Sequence, residues 1–118
     1  MPGHSWMPEQ TRATRALVKF IYDHDGQPPP ELLLCLASLE VSDIAGAVAH
    51  AGLVKPHGMG GITDWWPPVK FSSEDPDYVT AVLIALVNEW CRLMVLSFEP
   101  SLVGSSNSFK AKPLRGSA

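Results

Sequence analysis

A chain of 118 residues, 46% apolar and 18% charged, has the size of one domain and the apolar content for one modest core. Its net charge of −3 argues against a body built to grip nucleic acid through phosphate contacts. Two cysteines and four histidines without CxxC or HExxH spacing exclude the common metal frameworks. The charge is unevenly spread. Residues 1–99 carry six basic and twelve acidic side chains, a net −6, whereas residues 100–118 carry Lys110, Lys112 and Arg115 and no acid, a net +3. The chain therefore divides into an irregular arm over 1–7, a helical domain over 8–99 and a basic Ser/Gly-rich tail over 100–118.

Pro8 suits the first turn of a helix, with Glu9 placed well for the helix dipole. Ala13, Ala16, Leu17, Phe20 and Ile21 recur at helical spacing, with Arg12, Arg15 and Lys19 on another face that reads as solvated. Gly26 and the run Pro28-Pro29-Pro30 stop this helix near 23–26. The N-terminal MPGHSWMPEQ lacks the basic start and apolar run of a signal peptide, so a reducing compartment is expected.

Pro30 and Glu31 open a second helix with Leu32, Leu33, Leu36 and Leu39 inward. Two readings of the next stretch stand side by side. One is a single helix from Pro30 to Ala51. The other, which we adopt, is a break at 39–43 with Ser42 capping a third helix that buries Ile44, Ala47, Val48 and Ala51. Gly52 fits a left-handed helix end, with Leu53 as its apolar contact.

Residues 55–72 form a long connection whose glycines, prolines and paired tryptophans exclude a helix, and Ile62 through Phe71 could supply one short β-hairpin. Trp65 and Trp66 point to opposite sides if locally extended. One indole is expected in the core and the other on a partner or subunit surface, where Trp is enriched.

Asp75 as N-cap and Pro76 at the first position start the last helix. From Tyr78 to Phe98 only Glu89 and Arg92 are charged, and a helix of this length would span roughly 30 Å. Leu86 and Trp90 are expected in the core. Ala81, Ala85, Asn88 and Arg92 share a narrow face of small and polar residues, and Asn88–Arg92 and Glu89–Arg92 have the spacing of local pairs. The rest of the circumference is apolar, so the helix must be wrapped by the chain, pair with another subunit or sit in lipid. Asn88, Glu89 and Arg92 at or past its middle argue against lipid, as does the lack of a flanking positive cluster.

No residue pattern points to catalysis. Cys35 and Cys91 lie in apolar helical patterns and read as free, unreactive thiols. Glu74, Asp75 and Asp77 gather at a helix start, where the dipole explains them. Asp23-His24-Asp25 reads as a polar helix end, and Asp43 with His50 makes two ligands at most. Gly58-Met59-Gly60-Gly61 lacks the Lys-Ser/Thr of a phosphate loop. No enzyme activity, metal or cofactor is expected.

Helices two and three, followed by Gly52-Leu53-Val54 and the glycine-rich stretch, resemble the order of a winged helix-turn-helix. That resemblance implies a transcriptional regulator. The corresponding recognition helix, Ser42–Ala51, lacks the Lys and Arg on which base and phosphate contacts normally rely. The favoured expectation is a mainly α, four-helix domain with a long apolar last helix, acting as a non-catalytic protein-interaction or assembly subunit. Its partners would be a protein or its own copies, in a homo-oligomer, rather than nucleic acid or membrane. Trp65, Trp66, Phe109, Lys110, Lys112 and Arg115 are the candidate contacts. In the tail, Leu102, Val103, Phe109 and Leu114 would anchor against a neighbouring subunit while the cations lie near carboxylates. Size and composition are similar to those of small acidic helical proteins of viruses and mobile elements, which implies a cytoplasmic or virion-associated setting.

Overall fold

The computed structural model describes residues 5–98, and these form four α-helices: α1 (Met7–Asp23), α2 (Pro30–Glu40), α3 (Ile44–Ala51) and α4 (Pro76–Val95). A single 3-10 turn, Ile62–Asp64, interrupts the connection between α3 and α4. The fold is mainly α, as the apolar periodicities predict.

All four helices begin where proline or a capping carboxylate dictates. Pro8 and Pro30 occupy first-turn positions of α1 and α2, where a missing N–H costs nothing. Asp75 caps α4 by accepting from the Tyr78 N–H at 2.9 Å. The break between α2 and α3 is real, but Asp43 rather than Ser42 is the cap, accepting from the Gly46 N–H at 2.9 Å. Ser42 instead takes a left-handed φ of 62° that reverses the chain so that Asp43 can face the new helix.

α1 packs along α4, α2 packs on α1, and α3 folds back on α2. Leu17 and Ile21 of α1, Leu32 and Cys35 of α2, and Val79, Leu83, Val87, Trp90 and Met94 of α4 fill the core. Gln10, itself buried, donates from Nε2 to the Leu93 carbonyl at 2.9 Å and to Ser97 Oγ at 2.7 Å. It thereby ties the start of α1 to the end of α4, and also satisfies a carbonyl in the last turn of α4.

Several expectations are corrected. No strand occurs among the described residues, so the hairpin over Ile62–Phe71 is absent. Pro67 and Pro68 remove two N–H donors that a ladder would need. The N–H groups of Ile62 and Thr63 turn back to the carbonyls of Lys55 and Pro56 at 3.0 Å each. Gly52 is right-handed, with φ −64°. The chain leaves α3 through successive tight turns that bury Val54 and leave Leu53 70% exposed. Trp90 is buried as expected, whereas Leu86 is only half-buried against the core. The tail residues Leu102, Val103, Phe109, Lys110, Lys112, Leu114 and Arg115 lie outside the described residues.

Candidate functional site

The most distinctive surface of the domain is the side of α4 turned away from α1. Tyr78, Ala81, Ala85, Asn88, Arg92 and Val95 are all exposed, and they follow one another at intervals of three and four. Ile84 flanks this seam. Tyr78, Ile84 and Val95 keep 52%, 40% and 43% of their surface in water. Arg92 is drawn sideways by Glu89, with Nη2 and Oε2 2.7 Å apart and a second bond from Nε to Oε1 at 3.0 Å. The paired guanidinium holds the Glu89 carboxyl below its ordinary range. By length and composition α4 could also cross a membrane, with mean hydropathy 1.5 and a third of that stretch buried within the domain.

The two tryptophans of the connection part company. Trp65 is half-buried, edge-on to Phe20 with ring centroids 6.5 Å apart, and packs against the core. Trp66 is 83% exposed. The extended backbone at Trp65, φ −86° and ψ 140°, sends neighbouring side chains to opposite sides. The sequence-predicted set is therefore not one cluster in the described structure: Trp65 contributes to the core and Trp66 to the surface.

An apolar groove of about 290 Å³ lies where the end of α3 meets the end of α4, lined chiefly by Val54, Pro56, Trp90, Cys91, Met94 and Phe98. Cys91 is a free, half-buried thiol whose pKa burial raises. Cys35 is fully buried. Desolvation by burial pushes its pKa up to about 11. Neither thiol is placed as a nucleophile.

One polar constellation escaped the sequence reading. His24, at the C-cap of α1, is buried with its ring stacked on Phe20 at 4.0 Å and edge-on to Phe71 at 5.6 Å. Its Nδ1 lies 2.8 Å from the Phe20 carbonyl and its Nε2 2.9 Å from Glu74 Oε2. A carbonyl cannot donate, so Nδ1 carries a proton. Glu74 Oε1 accepts the N–H groups of Lys70 and Phe71 at 3.1 and 3.2 Å. Desolvation pushes the Glu74 carboxyl up, but the His24 bond and these two backbone donors together hold it below its ordinary value. Beside this clamp, Lys70 Nζ and Asp25 Oδ2 pair at 2.7 Å. With side chains of the pair only 4% and 8% exposed, the clamp fastens the long connection to α1 and offers no open face to a substrate.

The remaining candidates resolve into local pairs. Arg15 meets Glu40 at 3.1 Å, Lys19 meets Asp23 at 2.9 Å and His50 meets Glu31 at 2.8 Å. Exposed pairs of this kind contribute about 0–1 kcal/mol each. Among the described residues no group of three or more His, Cys, Asp or Glu could hold a metal ion. Compared with protein-family models, curated proteins and solved structures, the chain has no significant match.

Proposed function

We propose that this protein is a non-catalytic interaction or assembly subunit that associates with further copies of itself through the outward seam of α4. The observation that carries this reading is the seam's spacing. Tyr78, Ala81, Ala85, Asn88, Arg92 and Val95 recur every three and four residues on an exposed helical face, the register in which helices pair side by side. Ala81 and Ala85 allow close approach. Ile84 supplies apolar area at the flank, and Asn88 can fix the register of a pair at some expense in stability. Trp66, alone and exposed, is a second contact of the type enriched at interfaces. Burial of Leu83, Val87, Trp90 and Leu93 on the inner side of α4, with the Glu89–Arg92 ion pair outside, supports a water-facing helix over one in lipid.

Sedimentation velocity over a concentration series tests this directly. Wild-type protein should shift towards a larger species as concentration rises. Ala85→Glu should stay monomeric with an unchanged melting temperature, because position 85 is exposed in the single chain. A wild-type protein that remains monomeric at its highest soluble concentration, or an Ala85→Glu variant that associates equally well, overturns the proposal.

A further inference from the structure

The seam of α4 carries an orientation as well as a contact. We propose that two copies of the chain pair antiparallel through it, about a two-fold axis that crosses α4 between Leu86 and Val87, so that Ala81 of each copy faces Arg92 of the other. The inference rests on the reading that copies associate through this seam, and it adds how they meet.

The first observation is the order of side-chain sizes. Tyr78, Ala81, Ala85, Asn88, Arg92 and Val95, all exposed, alternate steps of three and four, as the seam positions of paired helices do. In a parallel pair each residue meets its own copy. Tyr78 then meets Tyr78 and Arg92 meets Arg92, while the two alanines between them meet alanines. Two straight helices cannot stand apart at 78 and 92 and lie close at 81 and 85, so the alanine layers are left underfilled. Reversing one helix about the axis changes every layer. Tyr78 meets Val95, Ala81 meets Arg92 and Ala85 meets Asn88, and the two-fold symmetry repeats these layers in reverse order. Each layer now joins a larger side chain to a smaller one, so one interhelical distance suits them all. The two Asn88 amides flank the axis about 4.5 Å apart along it, and an amide can both donate and accept.

The second observation is charge. Asp77 is exposed at the start of the seam and Arg92 near its end, roughly 22 Å apart along the helix. A parallel pair sets Asp77 beside Asp77 and Arg92 beside Arg92. The antiparallel pair separates the like charges and brings Arg92 within about one turn of the partner subunit's Asp77. Arg92 donates to Glu89 through Nε and Nη2, which leaves the Nη1 hydrogens for a second carboxylate. Opposed directions also set the positive end of one helix dipole beside the negative end of the other.

Paired single-thiol proteins test the orientation in the full-length chain. Each carries Cys91→Ser, so that the introduced thiol and the buried Cys35 are its only thiols. Ala81→Cys and Arg92→Cys proteins are oxidised with copper phenanthroline, alone and after mixing, and the products are weighed by mass spectrometry. Linked dimer in the mixture should hold one chain of each kind. Each protein alone should lose nearly all of this product, because the two residues 81 of an antiparallel pair lie about 16 Å apart along the axis, farther than a disulfide spans. Where Arg92→Cys weakens pairing, Tyr78→Cys with Val95→Cys tests another layer in the same way. Linked dimer formed as readily by Ala81→Cys alone shows a parallel pair. That result overturns the orientation and leaves self-association through the seam standing. No link from either mixture, in protein that sediments as a dimer, overturns both, because the copies then meet on another face. Wild-type protein that sediments only as a monomer also overturns both.

Discussion

His24 Nε2 and Glu74 Oε2 meet at 2.9 Å across fifty positions of sequence, and through this contact the end of α1 holds the segment that leads into α4. The Glu74 carboxyl is the hub. It accepts from His24 on one oxygen and from the backbone of Lys70 and Phe71 on the other. Its pKa is held below the unfolded value despite desolvation, so its contribution to stability is complete above the unfolded carboxyl pKa of about 4.3. That contribution is lost as pH falls through the lower folded-state value.

Glu74→Gln should therefore melt at a lower temperature than wild type near neutral pH, and the gap should narrow as pH falls below about 4. Thermal melts of both proteins across that range read the difference. A gap that holds constant down to the acid limit of folding would show that the carboxylate's charge plays no part.

This clamp also marks where sequence reading ends. Helix boundaries were legible because their causes are local: Pro30, Asp75-Pro76 and the leucine periodicity act within one or two turns. The α2–α3 break was legible for the same reason, and the shift of its cap from Ser42 to Asp43 is a one-residue error of the kind local signals allow. His24 beside Asp23 and Asp25 resembled a polar helix end, because nothing in its neighbourhood shows that Glu74 returns to it. The hairpin expected over 62–71 failed on a comparable point. A hairpin there needs paired strands, but Pro67 and Pro68 withhold the donors a ladder needs. The division of labour between Trp65 and Trp66 was readable from backbone alternation, whereas which of them faces Phe20 required the fold.

Two leucines one turn apart on α4 should respond differently to truncation. Leu83 is 1% exposed, and Leu83→Ala should cost about 2–5 kcal/mol. Leu86 is half-buried and lines an open surface hollow with Ala16, so Leu86→Ala should cost nearer about 1 kcal/mol. Urea unfolding of both variants decides it. Equal losses would mean that Leu86, on the α1 side of α4, is as well covered in solution as Leu83.

The cap of α3 makes a second contrast. Replacing Asp43 with Ala removes its bond to the Gly46 N–H and should cost about 1 kcal/mol. Gly46→Ala would ordinarily stabilise a helix. Here, however, a Cβ at position 46 would collide with the Asp43 carboxylate and press on Ser38 Oγ at 3.0 Å. The single Gly46→Ala variant should therefore be destabilised, and part of that loss should vanish once Asp43 is already Ala. Denaturation of the two single variants and the double variant gives the coupling. Strict additivity would mean that the carboxylate moves aside without cost.

Gly26 lies under the ring of Trp65, and the packing of that ring can be tested through it. A Cβ at position 26 would come within 2.7 Å of Trp65 Cζ2 and 2.8 Å of Ile21 Cγ2. Ile21 is fixed in the core, so the indole is the group that must move. Gly26→Ala should then cost about 1–3 kcal/mol, the usual range for overpacking, and should push Trp65 towards water. Trp66, at 83% exposure, would mask the change in fluorescence, so the experiment begins from Trp66→Phe. That first substitution should leave stability within about 0.5 kcal/mol of wild type, and it should remove the most readily quenched part of the emission. Adding Gly26→Ala should restore a quenchable component and lower the unfolding midpoint together. If acrylamide quenching and stability are both unchanged, Trp65 does not rest on Gly26, and the anchoring of the long connection at the end of α1 falls to the His24–Glu74 clamp and the neighbouring Lys70–Asp25 pair.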